Sequence, residues 1–303
     1  MSAKPLAVAM VGAGGLTRAM ARALGRSGGA RVTVASRRPA TAYALARGAR
    51  GVRAVRRIED AIADAAIVVL AVPDRAIAPL ARSLAPLRAS WRGVVALHAA
   101  GAYGPELLSP LRARGAATGV LHPLAVLGAG AGTPLSGSFA RMEGQAAAQA
   151  AARRLCALAG LIPLRGTGLR SPQGRSSYHA AASLVSNDLI ALLASAHGLL
   201  VRRGVPGRDA LRALTALAAG AVDSVRRSGL RGALTGPVAR NDGATLAAQL
   251  RALLAEDPAA ADAHRALSLR LIDLARPSAR AEPAEARALR LLLARGPVRK
   301  RRV

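Results

Sequence analysis

The sequence predicts an α/β fold, an N-terminal doubly wound parallel sheet followed by an all-α C-terminal domain. Three observations predict it. Short apolar runs alternate with helical patterns through the first half, the pattern of βαβ units. One of them, residues 65–72, is apolar throughout, as a parallel strand covered on both faces must be. From residue 176 to 295 no segment reads as a strand, and Ala, Leu and Arg recur at helical spacing. The expected boundaries are 1–168 for the sheet domain, 169–296 for the helical domain and 297–303 for a basic tail.

The elements follow in order. Residues 6–11 form a short apolar strand that meets Gly12, Gly14 and Gly15 and passes straight into an alanine-rich helix. A strand, a glycine turn and a helix in this order form the opening of a dinucleotide-binding Rossmann unit. Gly12 permits the tight turn, Gly14 allows a pyrophosphate to approach the backbone, and Gly15 and Leu16 open a helix whose free N–H groups face it. Thr17 stands where a third glycine is usual, so packing of helix on strand is tighter there. Residues 31–36 form a second, β-branched strand, and a helix runs from Pro39 towards Gly48. A helix starts at Pro73-Asp74. Residues 93–98, 117–122, 138–142 and 161–164 are further strands, with a helix over 145–159. Gly128, Gly130 and Gly132 mark a mobile loop. In the helical half the breaks fall at 204–207, 229–237 and Asp257-Pro258.

The second strand ends in Ser36-Arg37-Arg38, with no carboxylate nearby to hold a ribose 2′-hydroxyl. A hydroxyl and two guanidinium groups suit a 2′-phosphate, so the expected cofactor is NADP(H). The alternative is two more surface arginines in an arginine-rich chain. The expected cofactor contacts are Gly12, Gly14, Gly15, Leu16, Ser36, Arg37, Arg38, Val72, Pro73 and His98, the last three at strand ends.

The charge does not by itself name a partner. The formal net charge is +28 with a pI near 12.0, yet Lys occurs only at Lys4 and Lys300, and the arginines are scattered along helices. With aromatic residues at 2%, little is available for base stacking, and no nucleic-acid-binding motif is present, so no specific nucleic acid is expected. Cys156 is the single cysteine, which fits packing in a helix and a reducing cytoplasm. Gly12 to Gly15 interrupt the first apolar run far short of a membrane span. No metal-ligand spacing is present.

Chemistry is expected at the strand ends and at the start of the helical half. His98 and His122 each terminate a strand, and either could donate to a substrate or satisfy loop carbonyls. His179, Ser183 and Asn187 are spaced by four and share one helix face, a polar stripe in an alanine-rich helix. The turn-rich stretch 232–245 carries Arg240, Asp242 and Thr245, and either Asp242 or Thr245 could cap a helix.

With the N-terminal glycine turn, His98 and Gly101, His122-Pro123-Leu124, Tyr178-His179 with Asn187, and Leu234-Thr235-Gly236-Pro237 with Arg240 and Asp242, the chain resembles Rossmann-like proteins whose second half is the domain of unknown function 2520. More distantly it resembles pyrroline-5-carboxylate reductase, ketopantoate reductase and the 6-phosphogluconate dehydrogenase-like class. The resemblance implies an NADP-dependent oxidoreductase with a helical dimerisation domain, a homodimer acting on a small molecule. In ketopantoate reductase and hydroxyacid members a catalytic lysine stands one turn before an asparagine; here Ser183 takes that place before Asn187. The expected proton donor is therefore His179, with His122 beside it, while Ser183 and Asn187 hold the substrate. Asn241 and Gln249 replace a Gly and a His usual in the family. The expected reaction is reduction of a small oxo acid or imine; the alternative is a non-catalytic NADP-binding sensor or scaffold.

Overall fold

The computed structural model describes residues 4–128, 134–275 and 284–294. The glycines expected in a mobile loop at 130 and 132, and the tail 297–303, lie outside the described residues. The chain divides into two compact units, residues 1–185 and 186–303.

The first unit is built on one eight-stranded sheet. In chain order its elements are β1 (Leu6–Val11), α1 (Gly15–Ser27), β2 (Ala30–Ala35), α2 (Pro39–Ala46), β3 (Val52–Ala54), α3 (Ile58–Ile62), β4 (Ile67–Leu70), α4 (Asp74–Leu84), β5 (Val95–His98), α5 (Ser109–Ala113), β6 (Ala117–Leu124), β7 (Phe139–Gly144), α6 (Ala146–Ala159) and β8 (Ile162–Pro163). The strand order is β3-β2-β1-β4-β5-β6-β7-β8. The reversal of winding direction falls between β1 and β4, where a doubly wound sheet opens its ligand crevice.

Alternation along each strand makes two cores. Val8 and Met10 of β1, Val32 and Val34 of β2, and Ile67 and Val69 of β4 join Met20 and Leu24 of α1 and Leu155 and Cys156 of α6 on one face. Ala9, Val11, Val68 and Leu70 join Ile77, Ala81 and Leu84 of α4 and Trp91 on the other. Burial pushes the Cys156 thiol up to about 11, so it stays protonated and packs as a small apolar group.

The sheet departs from an all-parallel arrangement at one seam. β7 runs antiparallel to β6, with His122 opposite Arg141 and Pro123 opposite Ala140. This pairing carries β6 on to Leu124, two residues past the strand end expected at His122. β3 and α3 were not anticipated; three residues and five residues are too short for a periodic signal.

Helix α7 (Pro172–Arg202) starts in the first unit and runs into the second. The second unit continues with α8 (Gly207–Gly232), α9 (Gly236–Ala239), α10 (Gly243–Glu256), α11 (Pro258–Ala275) and α12 (Ala284–Ala294). Val238, Leu246, Leu250, Ile272 and Leu289 form its core. Asp242 caps α10: its carboxylate accepts from the Thr245 amide at 3.0 Å and hydroxyl at 2.6 Å. By length and composition alone α7 could cross a membrane. Leu184, Val185 and Ile190 on it are 63%, 74% and 62% exposed, apolar side chains without cover among the described residues.

Candidate cofactor and active site

The glycine turn shapes the cavity at the crevice. Gly12 has φ 121°, and a Cβ there would stand 2.1 Å from the Ala71 carbonyl oxygen, so only glycine lets β1 turn against β4. A Cβ at Gly14 would meet nothing within 4 Å among the described residues. Gly14 is also the N-cap of α1 and makes no side-chain cap bond, which leaves the first-turn N–H groups without an internal partner. Thr17, in the place of the third glycine, is fully buried and its hydroxyl finds no partner among the described residues.

These residues line one cavity of about 740 Å³, within the size range of a cofactor site. Every expected cofactor residue except His98 is in its wall: Gly12, Gly14, Gly15, Leu16, Ser36, Arg37, Arg38, Val72 and Pro73. Thr41 and Arg75, which were not anticipated, are there too. Arg75 sits in the first turn of α4, where the sequence offers no motif to mark it.

At the β2 end, Ser36 donates its hydroxyl to the Arg38 carbonyl at 2.7 Å, so its proton shapes the turn. Arg37 and Arg38 are exposed, and no carboxylate pairs with either among the described residues. They put two positive charges at the rim of the glycine-turn cavity.

His98, expected among the cofactor contacts, is not among the residues lining this cavity. It is fully buried, its Nε2 is 2.7 Å from the Gly104 carbonyl and its Nδ1 accepts from the Ala100 amide. Both ring nitrogens are committed to the loop after β5, which His98 staples shut. Burial holds its pKa below the ordinary histidine value.

His122 has a different setting. Its Nδ1 lies 2.8 Å from the Tyr178 hydroxyl, and a Cβ at Gly101 would stand 2.9 Å from its Nε2. Burial first, then the Arg141 guanidinium and the histidines His179 and His98, push it down to about 4. Arg141 is 2% exposed; it donates to Glu143 at 2.6 Å and to the Tyr103 carbonyl at 2.7 Å, and lies 5.6 Å from the Tyr178 ring centre. Arg175, one turn before Tyr178, donates to both oxygens of Glu143 and to Glu106. This ion cluster fastens the start of α7 to β7. It explains why the compact unit extends to 185 rather than stopping where the sequence texture changes.

Of the expected stripe, His179 is exposed with its ring 6.3 Å from that of His122, Ser183 is half-buried, and Asn187 is exposed in the second unit. Tyr178, Arg141 and Glu143 escaped notice as a group because they lie on two elements far apart in sequence, α7 and β7. Among the described residues no group of His, Cys, Asp and Glu is placed to hold a metal ion.

Residues 1–123 match the Rossmann-like domain family, and residues 138–271 match the domain of unknown function 2520. The chain carries both domains. A Bacteroides fragilis protein provisionally designated an NADP oxidoreductase is similar in structure, with TM-score 0.70 and 21% identity over 88% of this chain and 98% of that one. So are a pyrroline-5-carboxylate reductase from Coxiella burnetii (0.60, 14%, 90% and 100%) and an imine reductase from a Pseudomonas species (0.61, 20%, 89% and 94%). At these identities the likeness is one of fold. A search of curated proteins found no match.

Proposed function

We propose that this two-domain protein is an NADPH-dependent reductase of a small oxo acid or imine. The observation that carries the reading is the single cavity that unites the glycine turn, the unpaired Arg37 and Arg38, and the strand end Val72-Pro73. The residues fit the cofactor: a Cβ at Gly14 would meet no described atom within 4 Å, which leaves room for a pyrophosphate, and the two arginines offer charge for a 2′-phosphate. Bound NADPH supplies a hydride. The chain's own side chains supply the rest. His179 stands in solvent contact beside His122 and delivers the proton, and Ser183, one turn further along α7, holds the substrate. The pyrroline-5-carboxylate reductase and imine reductases among the structural neighbours support a carbonyl or imine carbon as the acceptor.

The cover for α7 is a second copy of the chain, because its exposed apolar residues sit on the same helix as His179, Ser183, Asn187 and Asp188, which lipid would penalise. The single, buried, protonated Cys156 suits work in the reducing cytoplasm.

The test is NADPH oxidation with panels of 2-oxo acids and cyclic imines, comparing wild type with His179→Ala. Loss of a general acid lowers the rate by about 10²–10⁴-fold, with NADPH affinity unchanged. Wild-type turnover by His179→Ala refutes the assignment. Tight NADPH binding with no turnover of any carbonyl or imine refutes the reductase.

A further inference from the structure

We propose that His122 presents its Nε2–H past Gly101 as a fixed, uncharged hydrogen-bond donor, that Tyr178 is the positioning residue that sets this tautomer, and that the site is thereby built for a carbonyl oxygen rather than an iminium cation. The inference rests on the reductase reading above and names its substrate class.

The tautomer follows from the partners. Burial pushes the Tyr178 phenol up to about 12, so it keeps its proton, while His122 remains neutral. The hydroxyl has two acceptors within reach, Nδ1 at 2.8 Å and the His122 carbonyl at 3.5 Å, and the shorter contact assigns its proton to Nδ1. The ring proton is left on Nε2, which has no hydrogen-bond partner among the described residues. What lies against Nε2 is Gly101, where a side chain would stand 2.9 Å away. The absence of that side chain keeps the donor uncovered. Gly101 is two residues beyond Ala99, which lines the cofactor cavity.

The charge around the ring selects the acceptor. The groups that face it are Tyr178 and His179 from α7, Arg141 from β7 and His98 from β5; none is an acid. Behind them Arg141 and Arg175 share the buried Glu143, while Glu106, 58% exposed, stands at the rim. The buried part of the cluster thus carries two positive groups against one negative, and the Arg141 Nε lacks a partner. A neutral N–H donor in a positive field stabilises negative charge developing on oxygen. It gives nothing to an iminium nitrogen, which has no lone pair to accept and already carries positive charge.

The first experiment needs no turnover. Imidazole nitrogen NMR of the full chain, with His122 assigned through His122→Gln, should show a neutral ring protonated on Nε2 from about pH 5 to about pH 8. Tyr178→Phe should mix the tautomers. A ring that charges near the ordinary histidine pKa, or that carries its proton on Nδ1, overturns the proposal. The second experiment compares 2-oxobutyrate with 1-pyrroline below neutral pH, where the imine is an iminium. The oxo acid should be preferred by at least about tenfold in kcat/KM, and Tyr178→Phe should lower kcat on it with NADPH affinity kept. Preference for the iminium overturns the substrate class. Gly101→Ala provides a variant that keeps both polar partners: it should leave the NMR tautomer in place but block the donor and lower turnover. Wild-type turnover by Gly101→Ala overturns the donor's role. Failure to bind NADPH would instead sink the reductase reading, and the NMR result would stand apart from it.

Discussion

Replacing Arg37 and Arg38 by alanine should cost NADPH affinity and leave NADH affinity alone. Both side chains are exposed at the cavity rim, neither is held by a carboxylate, and Ser36 has its proton committed to the Arg38 carbonyl. The discrimination therefore falls on the two guanidinium groups. A hydrogen bond to a charged group contributes about 1.5–3 kcal/mol, and exposure to solvent places these at the lower end. Each single variant should then weaken NADPH binding about tenfold. The double variant should approach about 100-fold, with a shortfall because adjacent residues share one phosphate. NADH lacks the 2′-phosphate, so its Kd should move by less than about twofold. Cofactor fluorescence titration measures both. Repeating it at about 0.5 M salt should shrink the NADPH preference, since exposed charges are screened over less than about 10 Å there. Equal weakening of both cofactors, or no change in either, refutes this role for the two arginines.

The first unit was legible because its signals are local. Residues 65–72 are apolar because both faces of β4 are covered, and the glycine turn is marked because Gly12 has a backbone angle that side chains resist. The cofactor wall followed from strand ends, since a doubly wound sheet always opens there. The burial of His98 was not legible, because strand-end position says nothing of burial; the loop that closes over it lies six residues on, at Gly104. The Arg141–Glu143–Arg175 cluster was out of reach for another reason. It joins β7 to a residue of α7 32 positions on, and a sequence in which arginine is abundant gives no hint which ones are buried. Tyr178 was visible as a motif but not as a partner of His122, 56 residues away.

Two further outcomes test the helical half. Light scattering at moderate salt should give twice 30.7 kDa, and Leu184→Glu with Ile190→Glu on α7 should shift it to the monomer mass; a wild-type monomer at micromolar concentration refutes the dimer. Asn241 should accept glycine and resist β-branched residues. It has φ 58°, in the left-handed region, directly before the Asp242 cap of α10. Glycine reaches that region without a Cβ penalty, and asparagine tolerates it better than other residues. The backbone angle is the constraint at this position, and asparagine and glycine both meet it. Asn241→Gly should therefore hold stability within about 0.5 kcal/mol, while Asn241→Val should lose about 1–2 kcal/mol by forcing a branched side chain into that angle. Chemical denaturation followed by circular dichroism measures both. Equal stability of the glycine and valine variants would show that the angle carries no strain, and that the choice of asparagine has another cause.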